Sequence, residues 1–177
     1  MKRTSTIFFL LLILIIGLSF KFNFASGEQD SIHDGKYIIN GEKVTLKNGI
    51  AEENIPGSLA KIVTKYFGND VRADFDKDGK EDVAFLVTQN NGGSGTFYYL
   101  VVRLNNGYSS KGSYGLFLGD RIAPQNTEVE DGNVIVVNYA DRKLEDSFVI
   151  PPSVGKSLLV SLDPKTMQFG EVIKDVE

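Results

Sequence analysis

An uninterrupted apolar run at residues 83–87 begins directly after an acidic loop at residues 74–82, which reads Asp-Phe-Asp-Lys-Asp-Gly-Lys-Glu-Asp. A short apolar run that starts at a turn and contains no polar residue is typical of a strand buried inside a sheet. We therefore predict that residues 83–88 form a central strand. The last aspartate of the loop, Asp82, then directly precedes that strand.

The acidic loop has the residue types and the spacing of a calcium site. Calcium takes about six to eight oxygen ligands, and aspartates at alternate positions of one loop can surround an ion. Gly79 occupies the sixth position, where the backbone has to turn sharply. The predicted ligands are Asp74, Asp76, Asp78, the backbone carbonyl of Lys80, and Asp82. Without a cation, the crowded carboxylates of this loop repel one another.

The loop does not fit an EF-hand, because the twelfth position requires a bidentate glutamate and is occupied here by Phe85. It resembles instead the strand-flanked DxDxDGxxD calcium loops of many extracellular β proteins, in which the ninth-position aspartate completes the site. A site with this many protein ligands is structural rather than catalytic. The alternative is a solvated acidic turn that holds no ion, because Asp and Gly are ordinary turn formers.

The first 27 residues have the organisation of a targeting segment. Lys2 and Arg3 precede an apolar run at residues 7–20, and small residues at 25–27 offer a cleavage site. The run is short for a spanning helix, which needs about 20 residues. We predict a signal peptide at residues 1–27, or alternatively an N-terminal membrane anchor; either one exports the rest of the chain. A polar linker at residues 28–36 and a single globular domain at residues 37–177 are expected to follow.

The remaining patterns predict an α+β, mainly β domain. Asn40-Gly41 between two apolar segments indicates a tight hairpin. Apolar residues at 59, 62, 63 and 66 have helical spacing, so we expect one helix that ends at Gly68. Further strands are expected at residues 96–104, 108–118, 134–139, 158–162 and 168–173, with a long charged loop at 141–153. The expected architecture is an antiparallel sheet or a partly closed barrel with the one helix packed against it.

Composition narrows the functional classes. The chain has no cysteine, so it forms neither a disulfide nor a lipid-modified cysteine. Cleavage after residue 27 removes three of the 19 basic residues and none of the 23 acidic ones, so the remaining domain has a net charge of −7. Nucleic acid is therefore not an expected partner. The single histidine, His33, lies in the linker, where a catalytic role is not expected.

Three further groups of residues are weaker candidates for ligand binding. Gly93 and Ser94 lie in a glycine-rich loop that lacks the lysine and the helix N-terminus of a phosphate cradle. Two Asp-Arg pairs follow apolar strands, where loops often carry functional groups, although structural ion pairs are equally found there. These pairs are Asp120 with Arg121 and Asp141 with Arg142. The tyrosines at 98, 99, 108 and 114 are an alternative sugar platform, but their alternation along strands favours core positions.

Four sequence motifs together resemble those of an uncharacterised family of exported bacterial domains. The motifs are the acidic loop with its strand (DFDKDGKEDVAFLVTQ), GGSGTFYYL, FLGDR, and YADR followed by PPSVG, and the segment that contains them covers roughly half of the chain. The resemblance implies export and a mainly β fold, and it singles out the acidic loop, the glycine-rich loop and the two Asp-Arg pairs. It implies no activity.

These observations together predict an exported, calcium-stabilised and non-catalytic binding module of the cell envelope or cell surface. Its expected location is secreted, periplasmic or tethered to the outer face of the cytoplasmic membrane, with contact to the membrane only through an uncleaved N-terminal segment. The expected partner is an envelope or extracellular ligand. Two alternatives remain open: an acid/base hydrolase of envelope glycans or peptides, with carboxylates such as Asp120, Asp141, Glu145 and Asp146, and a structural accessory domain.

Overall fold

A computed structural model of the chain describes residues 32–131 and 133–173. This part of the chain contains twelve strands and no helix. The strands are β1 (Gly35–Ile39), β2 (Glu42–Leu46), β3 (Ile50–Asn54), β4 (Lys61–Ala73), β5 (Asp82–Asn90), β6 (Phe97–Asn105), β7 (Ser110–Gly112), β8 (Leu116–Asp120), β9 (Ala123–Glu130), β10 (Val134–Asp141), β11 (Val154–Asp163) and β12 (Gln168–Glu171). The predicted signal peptide or anchor at residues 1–27 lies outside the described residues.

The strands form three antiparallel sheets. The largest has the order β3-β4-β5-β6-β7, with β8 also paired to β6. The second has the order β12-β11-β10-β9, and the third is the β1-β2 hairpin. Within residues 32–131 and 133–173, no helix is long and apolar enough to cross a membrane. The predicted mainly β, antiparallel architecture is therefore confirmed.

Strand β5 is covered on both of its faces. Ala84 and Leu86 point into one hydrophobic core, shared with strands β10 and β11 of the four-stranded sheet, which we call the sandwich core. Val83, Phe85 and Val87 point into a second core, shared with the β1-β2 hairpin, which we call the hairpin core. The large sheet is thus the middle of three layers, which explains why β5 is apolar without alternation. Because the buried residues of both cores lie between residues 37 and 167, a chain that starts at residue 28 contains both cores.

The predicted helix is wrong. Residues 61–73 form β4, which pairs with β3 on one side and with β5 on the other. The helical pattern relied on Leu59, which is fully exposed, whereas the buried position of this segment is Thr64. The β-branched residues at 62, 63, 64 and 71 suit a strand that pairs along the fully apolar β5. Gly68, with φ 118°, lies at a break in the register rather than at the end of a helix.

Most of the predicted strands are confirmed. The hairpin turn at Asn40 and Gly41 has φ values of 52° and 83°, as a tight two-residue turn requires. Strand β6 overlaps the predicted strand at residues 96–104, and its residues alternate, with Leu100 and Val102 in the sandwich core and Tyr99 and Val101 in the hairpin core. Strands β3 and β9 were not predicted; their sequences, IAEEN and APQNTEVE, are largely polar because each strand lies at an edge of its sheet.

Candidate functional site

The acidic loop connects β4 to β5, and these two strands pair with each other up to the base of the loop. Ala73, which precedes the loop, and Asp82, its last residue, face each other in the β4-β5 ladder. Within the loop, one carboxylate oxygen from each of Asp74, Asp76 and Asp78 lies within 4.8 Å of the others. We call these three residues the aspartate triad. The structure therefore brings together three of the predicted ligands.

Backbone amides orient the triad carboxylates. Asp74 accepts hydrogen bonds from the amides of Asp78 at 3.0 Å and Gly79 at 2.8 Å, one on each oxygen. Asp76 accepts a further bond from the Asp78 amide at 3.1 Å. Gly79 has φ 87°, a conformation that glycine adopts without steric cost, and this lets its amide point back at Asp74. Each carboxylate oxygen has two lone pairs, so these bonds leave room for a cation.

Lys80 lies beside the triad as an internal cation. Its ammonium group pairs with Asp78 Oδ2 at 2.8 Å, and its amide donates to Asp78 Oδ1 at 2.8 Å. The hydrogen bond from the Lys80 side chain is the main reason that the pKa of Asp78 lies below its usual value. The predicted role of Lys80 was a carbonyl ligand; the contacts that the structure shows come from its side chain and its amide. The lysine therefore neutralises part of the charge that a metal ion would neutralise.

Asp82 is buried beneath the loop rather than grouped with the triad. It is 1% exposed, and its two oxygens accept hydrogen bonds from the amides of Phe75 and Asn105, both at 2.8 Å. Burial raises the pKa of this carboxyl above its ordinary value of 3.8, with a further contribution from the nearby Asp76 carboxylate. Asp82 therefore ties the loop to the end of β6.

The loop also contacts the four-stranded sheet. The side-chain amide of Asn133, in the turn between β9 and β10, donates a hydrogen bond to the carbonyl of Asp74. A cation held by the aspartate triad would therefore lie where the two large sheets meet. The donor set consists of carboxylates, which suit a hard cation such as calcium.

The glycine-rich loop after β5 is wrapped around one side chain. The Asn90 amide donates to the carbonyls of Gly93 at 2.9 Å and Gly95 at 2.8 Å, and its oxygen accepts from the amide of Gly92 at 2.9 Å. Two carbonyls of the loop thus turn inward, onto Asn90. Gly93 and Ser94 are both exposed at the tip of this loop. This geometry does not present the row of free amides that a phosphate cradle uses.

The first Asp-Arg pair anchors the end of that loop. Asp120 Oδ1 accepts a hydrogen bond from the amide of Thr96 at 2.8 Å, and the amide of Arg121 donates to the Thr96 carbonyl at 2.7 Å. The Arg121 guanidinium pairs with its own neighbour, Asp120, at 2.7 Å. The pair therefore joins the end of β8 to Thr96, the residue before β6.

The second Asp-Arg pair meets the first through a phenylalanine. Arg142 donates to the carbonyl of Arg121 at 2.7 Å and to that of Ile150. The guanidinium carbon of Arg121 lies 3.8 Å from the centre of the Phe148 ring, and that of Arg142 lies 5.6 Å from it. The two Asp-Arg pairs, which are 21 residues apart in sequence, are thus adjacent in space. No sequence pattern indicated that Phe148 joins them.

Asp141 faces away toward β11. Its carboxylate pairs with Lys156 at 2.6 Å and accepts from the amide of Arg142 at 2.7 Å. Burial acts to raise the pKa of Asp141, but the bonds from Lys156 and from the Arg142 amide outweigh it and hold the pKa below its usual value. Asp146 accepts from the amide of Lys143, and Glu145 is exposed. None of these contacts favours an acid/base pair.

We expect Arg142→Met to loosen the loop between β10 and β11 without unfolding the domain. The change removes two hydrogen bonds to carbonyls and retains most of the apolar stem, so the loss of stability is about 1–3 kcal/mol. Amide hydrogen exchange at residues 143–150 should accelerate. Lys143→Met is the matched control, since Lys143 is an exposed neighbour on the same loop. Equal exchange in both variants would show that Arg142 does not hold the loop.

A groove lined by aromatic side chains lies between the tip of the β1-β2 hairpin and strands β6 and β8. Its volume is about 440 Å³, and its walls include Phe97, Tyr99, Tyr114 and Phe117. Asn91, at the start of the glycine-rich loop, also lines it. Among the four tyrosines considered from the sequence, only Tyr99 and Tyr114 line the groove; Tyr98 packs against Phe67, and Tyr108 is fully exposed.

Comparison of the chain with protein-family models, with curated proteins and with solved structures returned no match.

Proposed function

We propose that the chain is an exported binding module, without catalytic activity, whose acidic loop holds one stabilising calcium ion. The observation that carries the proposal is the approach of three carboxylates to within 4.8 Å of one another on a single loop. Like charges at this spacing repel, and a divalent cation removes the repulsion. The three side chains supply part of the coordination shell, and water molecules complete it.

The position of the loop explains how an ion would stabilise the whole domain. The loop is paired to β4 and β5 at its base, tied to β6 through Asp82, and bonded to the β9-β10 turn through Asn133. Unfolding of these elements releases the loop from the contacts that shape it, so the free energy of ion binding opposes it. With a dissociation constant of about 0.1 mM and calcium at about 1 mM, the gain is about 1.4 kcal/mol.

Export is the second part of the proposal, and it rests on the sequence. The apolar run at residues 7–20 follows two basic residues, and four motifs along the chain resemble those of exported bacterial domains. Calcium at millimolar concentration is available outside the cytoplasm, where a weak structural site is filled. In a chain without cysteine, the ion takes the place of a disulfide as a crosslink.

We expect calcium to raise the melting temperature of residues 28–177 by about 3–6 °C relative to a chelator, as about 1.4 kcal/mol does in a domain of this size. In Asp76→Asn the amide oxygen can still accept the bond from Asp78, but the charge is lost, so the increase should disappear. Glu81→Gln is the matched control, because this acid lies in the same loop and pairs with Arg72 instead. Differential scanning calorimetry measures both.

A second variant distinguishes the stabilising effect of calcium from that of the Lys80 ammonium group. Lys80→Met removes the ammonium group that pairs with Asp78, so the protein in chelator should be less stable and the increase caused by calcium should be larger. Identical melting curves of the wild-type protein in calcium and in chelator would leave the acidic loop a solvated turn, and the calcium part of the proposal would fail.

A further inference from the structure

We propose that the aromatic groove between the β1-β2 hairpin and strands β6 and β8 binds a neutral oligosaccharide. The inference deepens the proposed function as a binding module and rests on it, because it names the class of ligand. The groove volume of about 440 Å³ falls in the range of small-molecule sites, about 300–1,000 Å³.

The aromatic walls are open to solvent. Phe117 is 53% exposed and Tyr114 is 39% exposed, whereas Tyr99, at 6%, forms the floor. The centre of the Phe117 ring lies 5.5 Å from that of Tyr99 and 6.4 Å from that of Phe97. Phe117 therefore stands at the surface, in contact with the partly buried Phe97 and the buried Tyr99. A ligand with flat apolar faces would remove this surface from water.

The polar groups of the groove are neutral and can both donate and accept. Asn40 in the hairpin turn and Asn91 at the start of the glycine-rich loop are exposed, and each carries an amide with donor and acceptor atoms. None of the described residues that line the groove is charged. Residues 28–177 carry a net charge of −7, so an uncharged site among them indicates an uncharged ligand.

A pyranose chain meets both requirements. The C–H faces of a sugar ring stack on aromatic rings, while its hydroxyl groups, at the ring edge, donate to and accept from amides. A proline-rich peptide also stacks on aromatic rings, but it offers mainly carbonyl acceptors, because proline has no amide hydrogen. The pairing of aromatic faces with two carboxamides therefore favours the sugar.

The walls of the groove are fixed before a ligand binds. The amide of Gly115 donates to the carbonyl of Ile38 at 2.7 Å, which joins the segment before β8 to the end of the hairpin. A Cβ at Gly115 would meet Ile39 Cδ1 at 2.6 Å, so a larger residue there would force the buried Ile39 side chain to shift. Binding therefore orders little backbone, which lowers its entropic cost.

The test is an NMR titration of ¹⁵N-labelled residues 28–177, in calcium, with cellotetraose, maltotetraose and the tetramer of N-acetylglucosamine. We expect at least one of them to shift the amides of residues that line the groove. Phe117→Ala should weaken that affinity about tenfold or more, and Phe117→Tyr should retain it. Tyr108→Ala is the matched control, because Tyr108 is an exposed tyrosine in the β6-β7 turn outside the groove. Asn91→Ala, at an exposed loop position, tests the same site without removing a ring.

Three results would overturn the inference: no shift with any of the three sugars, equal affinity in the wild type, Phe117→Ala and Asn91→Ala, or binding of a proline decamer in place of the sugars. The melting temperature in calcium and in chelator is measured on the same samples. A normal calcium effect without sugar binding refutes the sugar site alone. Sugar binding without a calcium effect refutes the calcium part of the proposed function alone.

Discussion

Replacing Phe85 with alanine is expected to lower the free energy of unfolding by about 3–5 kcal/mol. Phe85 is 0% exposed and lies at the centre of the hairpin core. The centre of its ring is 5.8 Å from that of Tyr37 and 5.4 Å from that of Tyr66. Removing it leaves a cavity between the large sheet and the β1-β2 hairpin. Against a typical total of about 5–15 kcal/mol, this loss leaves the domain only marginally folded.

Urea unfolding of Phe85→Ala and of Phe117→Ala makes the comparison between a buried and an exposed phenylalanine. Phe117→Ala should cost less than about 1 kcal/mol, because half of the ring already contacts water. A similarly small cost for Phe85→Ala would mean that the hairpin does not pack on β5, and the three-layer arrangement would be wrong.

The strands that could be predicted from sequence are those whose pattern of apolar residues fits a strand but not a helix. Strand β6 alternates because each of its faces enters a different core, and β5 is uniformly apolar because it is covered twice. The helix prediction failed at β4 because Ile62, Val63 and Tyr66 fit a period of 3.6 as well as a strand. This segment is a strand because it pairs with β3 and β5, and these pairings exist only in the folded chain.

In the same way, a candidate site could be predicted from sequence when its residues lie close together along the chain, but not when they are far apart. The aspartate triad could be predicted, because its three residues lie on one loop and their spacing sets their geometry. The inward turn of Asp82 could not, since its partner Asn105 is 23 residues away. The aromatic groove takes its residues from the first hairpin, from the loop after β5 and from strands β6 and β8. No local pattern in the sequence marks such a site.

The second large effect is expected at Asp82. Asp82→Ala should lower the free energy of unfolding by about 2–6 kcal/mol, because the amides of Phe75 and Asn105 each lose their acceptor and an unsatisfied buried group costs about 1–3 kcal/mol. Asp82→Asn retains one carbonyl oxygen and should cost about half as much. Amide hydrogen exchange at residues 75 and 105 should accelerate in both variants.

Asp82 also gives the stability of the wild type a dependence on pH. Because burial raises the pKa of Asp82 above 3.8 in the folded state, the folded protein binds this proton more tightly than the unfolded chain does. The ionisation of Asp82 therefore lowers stability as the pH rises from 3.8 through the folded-state pKa, and the effect is constant above it. Asp82→Asn lacks this contribution, and urea unfolding in chelator at several pH values measures the difference.

Chelator distinguishes the two roles that the ninth position of the loop can have. A side chain that mainly ligates calcium loses its contribution when calcium is removed, so Asp82→Ala would then match the wild type in chelator. A side chain that mainly accepts backbone hydrogen bonds contributes equally in chelator and in calcium. The two bonds of 2.8 Å and the exposure of 1% lead us to expect the second result. Stability equal to the wild type in chelator would instead return Asp82 to the metal site, as the spacing of the sequence first indicated.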